Sequence, residues 1–152
     1  MSKRILAMLV GVVALAAIVG GCGGGDEEQS LTKAEFIKQG DKICKTSSDE
    51  ILAGYQTFTK QHKIKEFPSR VQGYEITEQI FIPSVEKRLE ALRALNPPPG
   101  DQKTVEAIWA PAEEGVEVGR EDVKKVFTKG DTPFDKSNKL AKKYGFKVCG
   151  TI

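Results

Sequence analysis

Fifteen residues, Ile5 to Val19, carry no charged or hydrogen-bonding side chain, and they follow directly on Lys3-Arg4. Gly20-Gly21-Cys22 closes the run. A basic start, an apolar core and a small-small-cysteine end read as a lipoprotein signal peptide. A spanning helix wants about 20 apolar residues, and this glycine-ended run falls short of that. The alternative is an uncleaved anchor, and either reading places the rest of the chain outside the cytoplasm. The lipoprotein reading fixes three expectations: export, removal of residues 1–21, and a lipid on Cys22. Two or more acyl chains there would hold the protein stably on a membrane, since each buried methylene contributes about 0.8 kcal/mol.

Residues 22–30 come next, and Gly23 to Ser30 contain nothing apolar to bury. They read as a lipidated, flexible tether. The folding unit is then expected over 31–152, enough for one domain with its own core and too short for two. Loss of Lys3 and Arg4 leaves 21 basic against 21 acidic residues. A neutral chain gives no case for nucleic acid as a partner. Locally the charge is uneven: Asp101 to Asp122 is acidic, and Val123 to Cys149 is rich in lysine. Two neighbouring helices of opposite surface charge are expected, in preference to a basic face on anionic lipid, because the lysines are spread rather than clustered.

The patterning is helical. Thr32-Lys33-Ala34-Glu35 spells a capping box. Phe36, Gly40, Ile43/Cys44, Ser47, Ile51, Tyr55 and Phe58 then recur at steps of three and four, predicting a helix over about 33–62. Phe67-Pro68 breaks it and Ser69 can cap a second helix through Val71, Tyr74, Ile76, Phe81 and Ile82. Pro83 removes a backbone hydrogen bond and predicts a kink there or two helices meeting near Ile82. The pattern resumes with Val85, Leu89, Leu92 and Leu95 and stops at the turn Asn96 to Gly100. Asp101 reads as the N-cap of a third helix running from Val105 to Val126, bent near Pro111 and Gly115 and ended by Lys129-Gly130-Asp131. Thr132-Pro133 starts a short last helix that buries Phe134, Leu140 and Tyr144 and stops at Gly145. No alternating strand pattern is found. The fold class expected is all-α, a bundle of about four helices.

Cys44 and Cys149 remain once Cys22 is assigned to the lipid. In an exported chain such a pair is expected to form a disulfide; two separate buried thiols are the alternative. Two distant cysteines and one histidine, His62, do not make a metal-ligand set. His62 lies among lysines at an expected helix end and reads as surface. Acyl-transfer sites built on a histidine would need it. Phosphate, calcium and haem motifs are missing from the sequence. Glu113, Glu117 and Glu121 share a helix face and read as solvated; Glu75 and Glu78 are the acids most open to burial. No catalytic residue, metal ligand or cofactor is assigned.

Leu31-Thr32-Lys33-Ala34-Glu35-Phe36-Ile37 with Asp41-Lys42-Ile43-Cys44, then Ile82-Pro83, Leu92-Arg93-Ala94-Leu95 and the closing Tyr144-Gly145-Phe146 with Cys149-Gly150, resemble a group of small uncharacterised lipoproteins of actinobacterial type. The resemblance covers most of the chain after the signal segment. It implies a compact helical domain and Cys44–Cys149 pairing, and it carries no activity.

The expected function is therefore non-enzymatic. The chain reads as a lipid-anchored protein on the extracytoplasmic face of the cell membrane that binds a protein or cell-wall partner. The alternative is a small-molecule or lipid carrier with a pocket between helices, lined by residues such as Tyr55, Tyr74, Phe81 and Trp109. Ordinary core packing would give those aromatics the same spacing.

Overall fold

The computed structural model describes residues 30–127, 130 and 132–151. The expected signal segment, Cys22 and the expected tether up to Gln29 lie outside these residues, as do Lys129 and Asp131 of the expected helix stop. The chain is an all-α bundle with no strand among the described residues. Its helices are α1 (Lys33–Gln61), α2 (Arg70–Ile76), α3 (Ile82–Arg93), α4 (Gln102–Glu121) and α5 (Asp135–Tyr144). A π-helical turn, Thr77–Phe81, joins α2 to α3, so Arg70 to Arg93 form one rod and the bundle has four rods in all. None of these helices is long and apolar enough to cross a membrane.

Local chemistry sets the helix ends. The Thr32 hydroxyl accepts from the Glu35 N–H at 3.3 Å while the Thr32 N–H donates to Glu35 Oε2 at 3.0 Å. Hydrogen bonds from the Thr32 side chain and backbone hold the Glu35 carboxyl below its ordinary range. Ser69 and Gln72 repeat the capping box on α2. Gly145 ends α5 at φ 122°, a left-handed conformation that a side chain would strain.

Near Pro83 two helical elements meet, as expected: the π-helical turn ends at Phe81 and α3 begins at Ile82, with no non-helical residue between them. The Ile82 N–H reaches the Thr77 carbonyl, five residues back. That extra residue of winding lets the chain pass the site where a proline ring would otherwise meet the carbonyl four residues before it, and Pro83 then lies in the first turn of α3, where its missing N–H costs little.

Three other boundaries differ from the sequence expectation. Asp101 occupies the N-cap position of α4, but its side chain does not cap; it accepts from the Tyr144 hydroxyl at 2.6 Å. Helix α4 passes through Pro111 and stops at Glu121, short of Val126. Asp122 is extended there, and its carboxylate accepts from the Lys124 N–H at 3.0 Å, starting the separate 3-10 turn Val123–Phe127. Helix α5 begins at Asp135 rather than Pro133, although Thr132 still donates both its N–H and its hydroxyl to the Asp135 carboxylate.

The core gathers Phe36 and Cys44 of α1, Val85, Leu89 and Leu92 of α3, Val105, Ile108 and Trp109 of α4, and Phe134, Ala141 and Tyr144 from the α5 region. Phe146, just past α5, lies between Phe36 and Trp109, with ring centroids 5.9 and 5.5 Å away. Gly40 makes room for it, since a Cβ there would come within 2.6 Å of the Phe146 ring. The chain end is fastened twice to the same stretch of α1. Cys149 is disulfide-bonded to Cys44. One turn earlier, the Asp41 carboxylate accepts the N–H groups of Lys147, Val148 and Cys149 at 3.0, 2.8 and 3.1 Å.

Tyr144 gives the fold a pH dependence. Burial first, then its hydrogen bond to Asp101, push the phenol well above the ordinary tyrosine value. A pKa raised on folding contributes stability that is complete below the unfolded value of about 10 and is lost as pH rises through the alkaline range. Tyr144→Phe should cost about 1 kcal/mol at neutral pH and flatten the alkaline loss. Thermal melts of both proteins at pH 8, 10 and 11 check this, and parallel losses in the two would count against it.

A candidate ligand groove between α1 and α3

The four aromatics singled out from the sequence do not meet around one cavity. Trp109 is buried in the core and Phe81 packs edge-on against Phe134 at 5.6 Å. Tyr74 packs against Phe127 at 5.5 Å, and Tyr55 is half-buried on α1. None of them lines the polar groove of about 530 Å³ between α3 and α4 or the more apolar one between α1 and α3.

That groove lies on the outer side of the α1–α3 seam and encloses about 480 Å³. Two helical ridges form its walls. Gln39, Ile43, Thr46 and Glu50 rise along α1 at steps of four, three and four, and Ser84, Arg88, Ala91 and Leu95 do the same from the α3 side. Both ridges sit beside the core stripe of their helix, so each mixes apolar and polar side chains. The helices touch where the Ser47 hydroxyl donates to the Ser84 carbonyl at 3.2 Å. Ile43, Ala91 and Leu95 make the surface apolar. Lys42, Lys87 and Arg88 outnumber the single acid Glu50, which pairs with Lys87 at 3.2 Å.

Arg88 is the unusual member. Its side chain is 3% exposed, and no carboxylate among the described residues pairs with it. Nη2 makes one long bond, 3.4 Å, to the Ser48 hydroxyl, while Nε and Nη1 are buried with no partner. Burial alone pulls its pKa below the ordinary arginine value.

Arg93, five residues on, shows the contrast. Its Nε and Nη2 donate to Glu113, and its Nη1 and Nη2 donate to Glu106. Its hydrogen bonds to Glu113, then to Glu106, hold Arg93 far above its ordinary pKa, and the hydrogen bond accepted from Arg93 lowers that of Glu106. Arg120 pairs with Glu86 in the same seam. Two acids of α4, Glu106 and Glu113, thus pair across the seam to α3. Such exposed pairs contribute about 0–1 kcal/mol each.

The remaining candidates lie at or near the surface or in ion pairs. His62 is exposed at the C-cap of α1, stacked on Phe58 with ring centroids 4.1 Å apart. Glu113 is taken by Arg93 and Glu121 by Lys125 at 3.6 Å. Glu78 is exposed and Glu75 half-buried. No group of three or more histidines, cysteines or acids among the described residues could hold a metal.

Arg88 leaves one signal in the sequence, since Val85, Arg88 and Leu92 are spaced as one inward stripe. Asp41 leaves no such signal as a fastening, because its partners lie over a hundred residues away. Comparison with family models, curated proteins and solved structures finds no match to this chain.

Proposed function

We propose that this protein is a lipid-anchored, extracytoplasmic binding protein that holds a small apolar ligand in the α1–α3 groove. The observation that carries the reading is the groove itself, an open, largely apolar trough of about 480 Å³ with a few basic groups. That size and character suit a small-molecule site. It favours the carrier reading over recognition of a protein or wall partner, with residues other than the expected aromatics doing the lining. The anchor is Cys22, read from the signal pattern, and the role is binding rather than catalysis. The likeness to small actinobacterial-type lipoproteins belongs to the same reading.

Native mass spectrometry of the protein released from its own membranes tests the ligand. A small molecule retained by the wild type and lost on Ala91→Trp, which fills the groove from its exposed rim, is expected. Metabolic labelling with a fatty-acid analogue tests the anchor and should mark the wild type but not Cys22→Ala. A chain that retains nothing and takes up no neutral apolar dye would refute the binding role, and undiminished labelling of Cys22→Ala would refute the anchor.

A further inference from the structure

We propose that the groove ligand is a single-chain amphiphile with a carboxylate head, and that Arg88 in the groove floor is the group that selects the head. This rests on the reading of the groove as a ligand site.

Three observations support it. The first is the state of Arg88. A buried guanidinium has five N–H donors to satisfy, and this one makes a single long bond to a neutral hydroxyl. The Ser48 hydroxyl gives its own hydrogen to the Cys44 carbonyl at 2.9 Å, so it accepts from Arg88 with no charge of its own. On the same helix, two carboxylates saturate Arg93. A carboxylate is the acceptor whose geometry fits the guanidinium fork and whose charge offsets a buried cation.

The second is the sign of the walls. Lys42, Lys87 and Arg88 face one acid, Glu50, and Lys87 already occupies it. An anion is drawn in and a cation is repelled. The third is the size. A volume of about 480 Å³ lies in the lower half of the range for small-molecule sites, roughly 300–1,000 Å³, which suits one acyl chain along Ile43, Ala91 and Leu95. Arg88 lines the groove while its Nε and Nη1 are buried, so binding of the head requires neighbouring side chains to change rotamer.

Competition against a neutral fluorophore, N-phenyl-1-naphthylamine, on the purified full-length chain tests the assignment. The competitors are palmitate and hexadecanol, both kept below their solubility limits at a pH where the acid is ionised. In the wild type, palmitate should displace the dye at a concentration about tenfold lower than hexadecanol, the factor expected of one charge-assisted pair. Arg88→Met should bring that ratio close to one, leave hexadecanol unchanged and raise the thermal midpoint, because a buried charge without a partner is replaced by an apolar side chain of similar length. Arg88→Lys should keep part of the preference as a point charge, which guards against a methionine variant that fails to fold.

Equal displacement by acid and alcohol in the wild type, or an undiminished preference in Arg88→Met, overturns the Arg88 assignment while leaving the groove as a ligand site. Dye uptake unaffected by Ala91→Trp places binding elsewhere and overturns the groove reading itself. A wild type that takes up neither dye nor competitors overturns both.

Discussion

Reduction of the Cys44–Cys149 bridge is expected to lower the thermal midpoint by on the order of 15 °C, the largest effect of any single change in this protein. The bridge spans a sequence separation of 105 residues. In the chain-entropy account, closing a loop of that length removes about 4 to 5 kcal/mol of freedom from the unfolded ensemble. The domain has a stability of only about 5–15 kcal/mol to lose from. Both sulfurs are buried, Cys44 within α1 and Cys149 against it, so reduction should require prior loosening of the chain end. Differential scanning calorimetry of the oxidised protein, the reduced protein and the Cys44→Ala/Cys149→Ala double variant measures the effect. A midpoint that shifts by less than about 3 °C would show that the unfolded chain is already compact around this contact.

Asp41→Ala should destabilise the fold by about 3 kcal/mol, which is large for an acid that is partly open to solvent. The carboxylate collects three successive backbone N–H groups from Lys147, Val148 and Cys149. Bonds to a charged acceptor are worth about 1.5–3 kcal/mol each, and water can replace the outermost of the three. Asp41→Asn keeps one acceptor oxygen without the charge and should lose clearly less. Urea unfolding of the two variants separates these outcomes. Because Asp41 and Cys44 are one turn apart on α1 and hold the same segment, their removals should not add, and a double-mutant cycle reads the coupling. Additive losses would mean that the two fastenings act independently.

What could be read ahead of the structure follows the reach of each interaction. The Thr32–Glu35 and Ser69–Gln72 caps and the Gly145 stop are written within four residues, and local chemistry decided them. The cysteine pair needed only the redox setting implied by the signal segment. Asp41 was opaque because its three donors are 106 to 108 residues away, and no window of sequence contains both sides. The aromatics were ambiguous for another reason. Packing and pocket lining both call for large rings at helical spacing, and in this chain Phe36, Phe134, Phe146 and Trp109 fill the interior. The groove is instead built from the ridge beside the core stripe, where residues such as Ile43, Thr46 and Ala91 look unremarkable one by one. Arg88 left a trace, a cation spaced with Val85 and Leu92, which was open to reading as an ordinary surface charge.

The π turn at Thr77–Phe81 has a bearing on how this rod tolerates change. Its five-residue hydrogen-bond step holds one residue more than a regular helix would, so α2 and α3 are out of phase by about 100° relative to an uninterrupted α-helix. A deletion of one residue here, at exposed Gln79 for instance, would let the rod close up into regular α-helix. It would also spin α2 about its axis, carrying Tyr74 away from Phe127 and bringing Pro83 back against a carbonyl. Point substitutions at Glu78 or Gln79 change neither. For this stretch of chain the number of residues counts as well as their identity, because Phe81 packs on Phe134 and the count decides whether Tyr74 still meets Phe127.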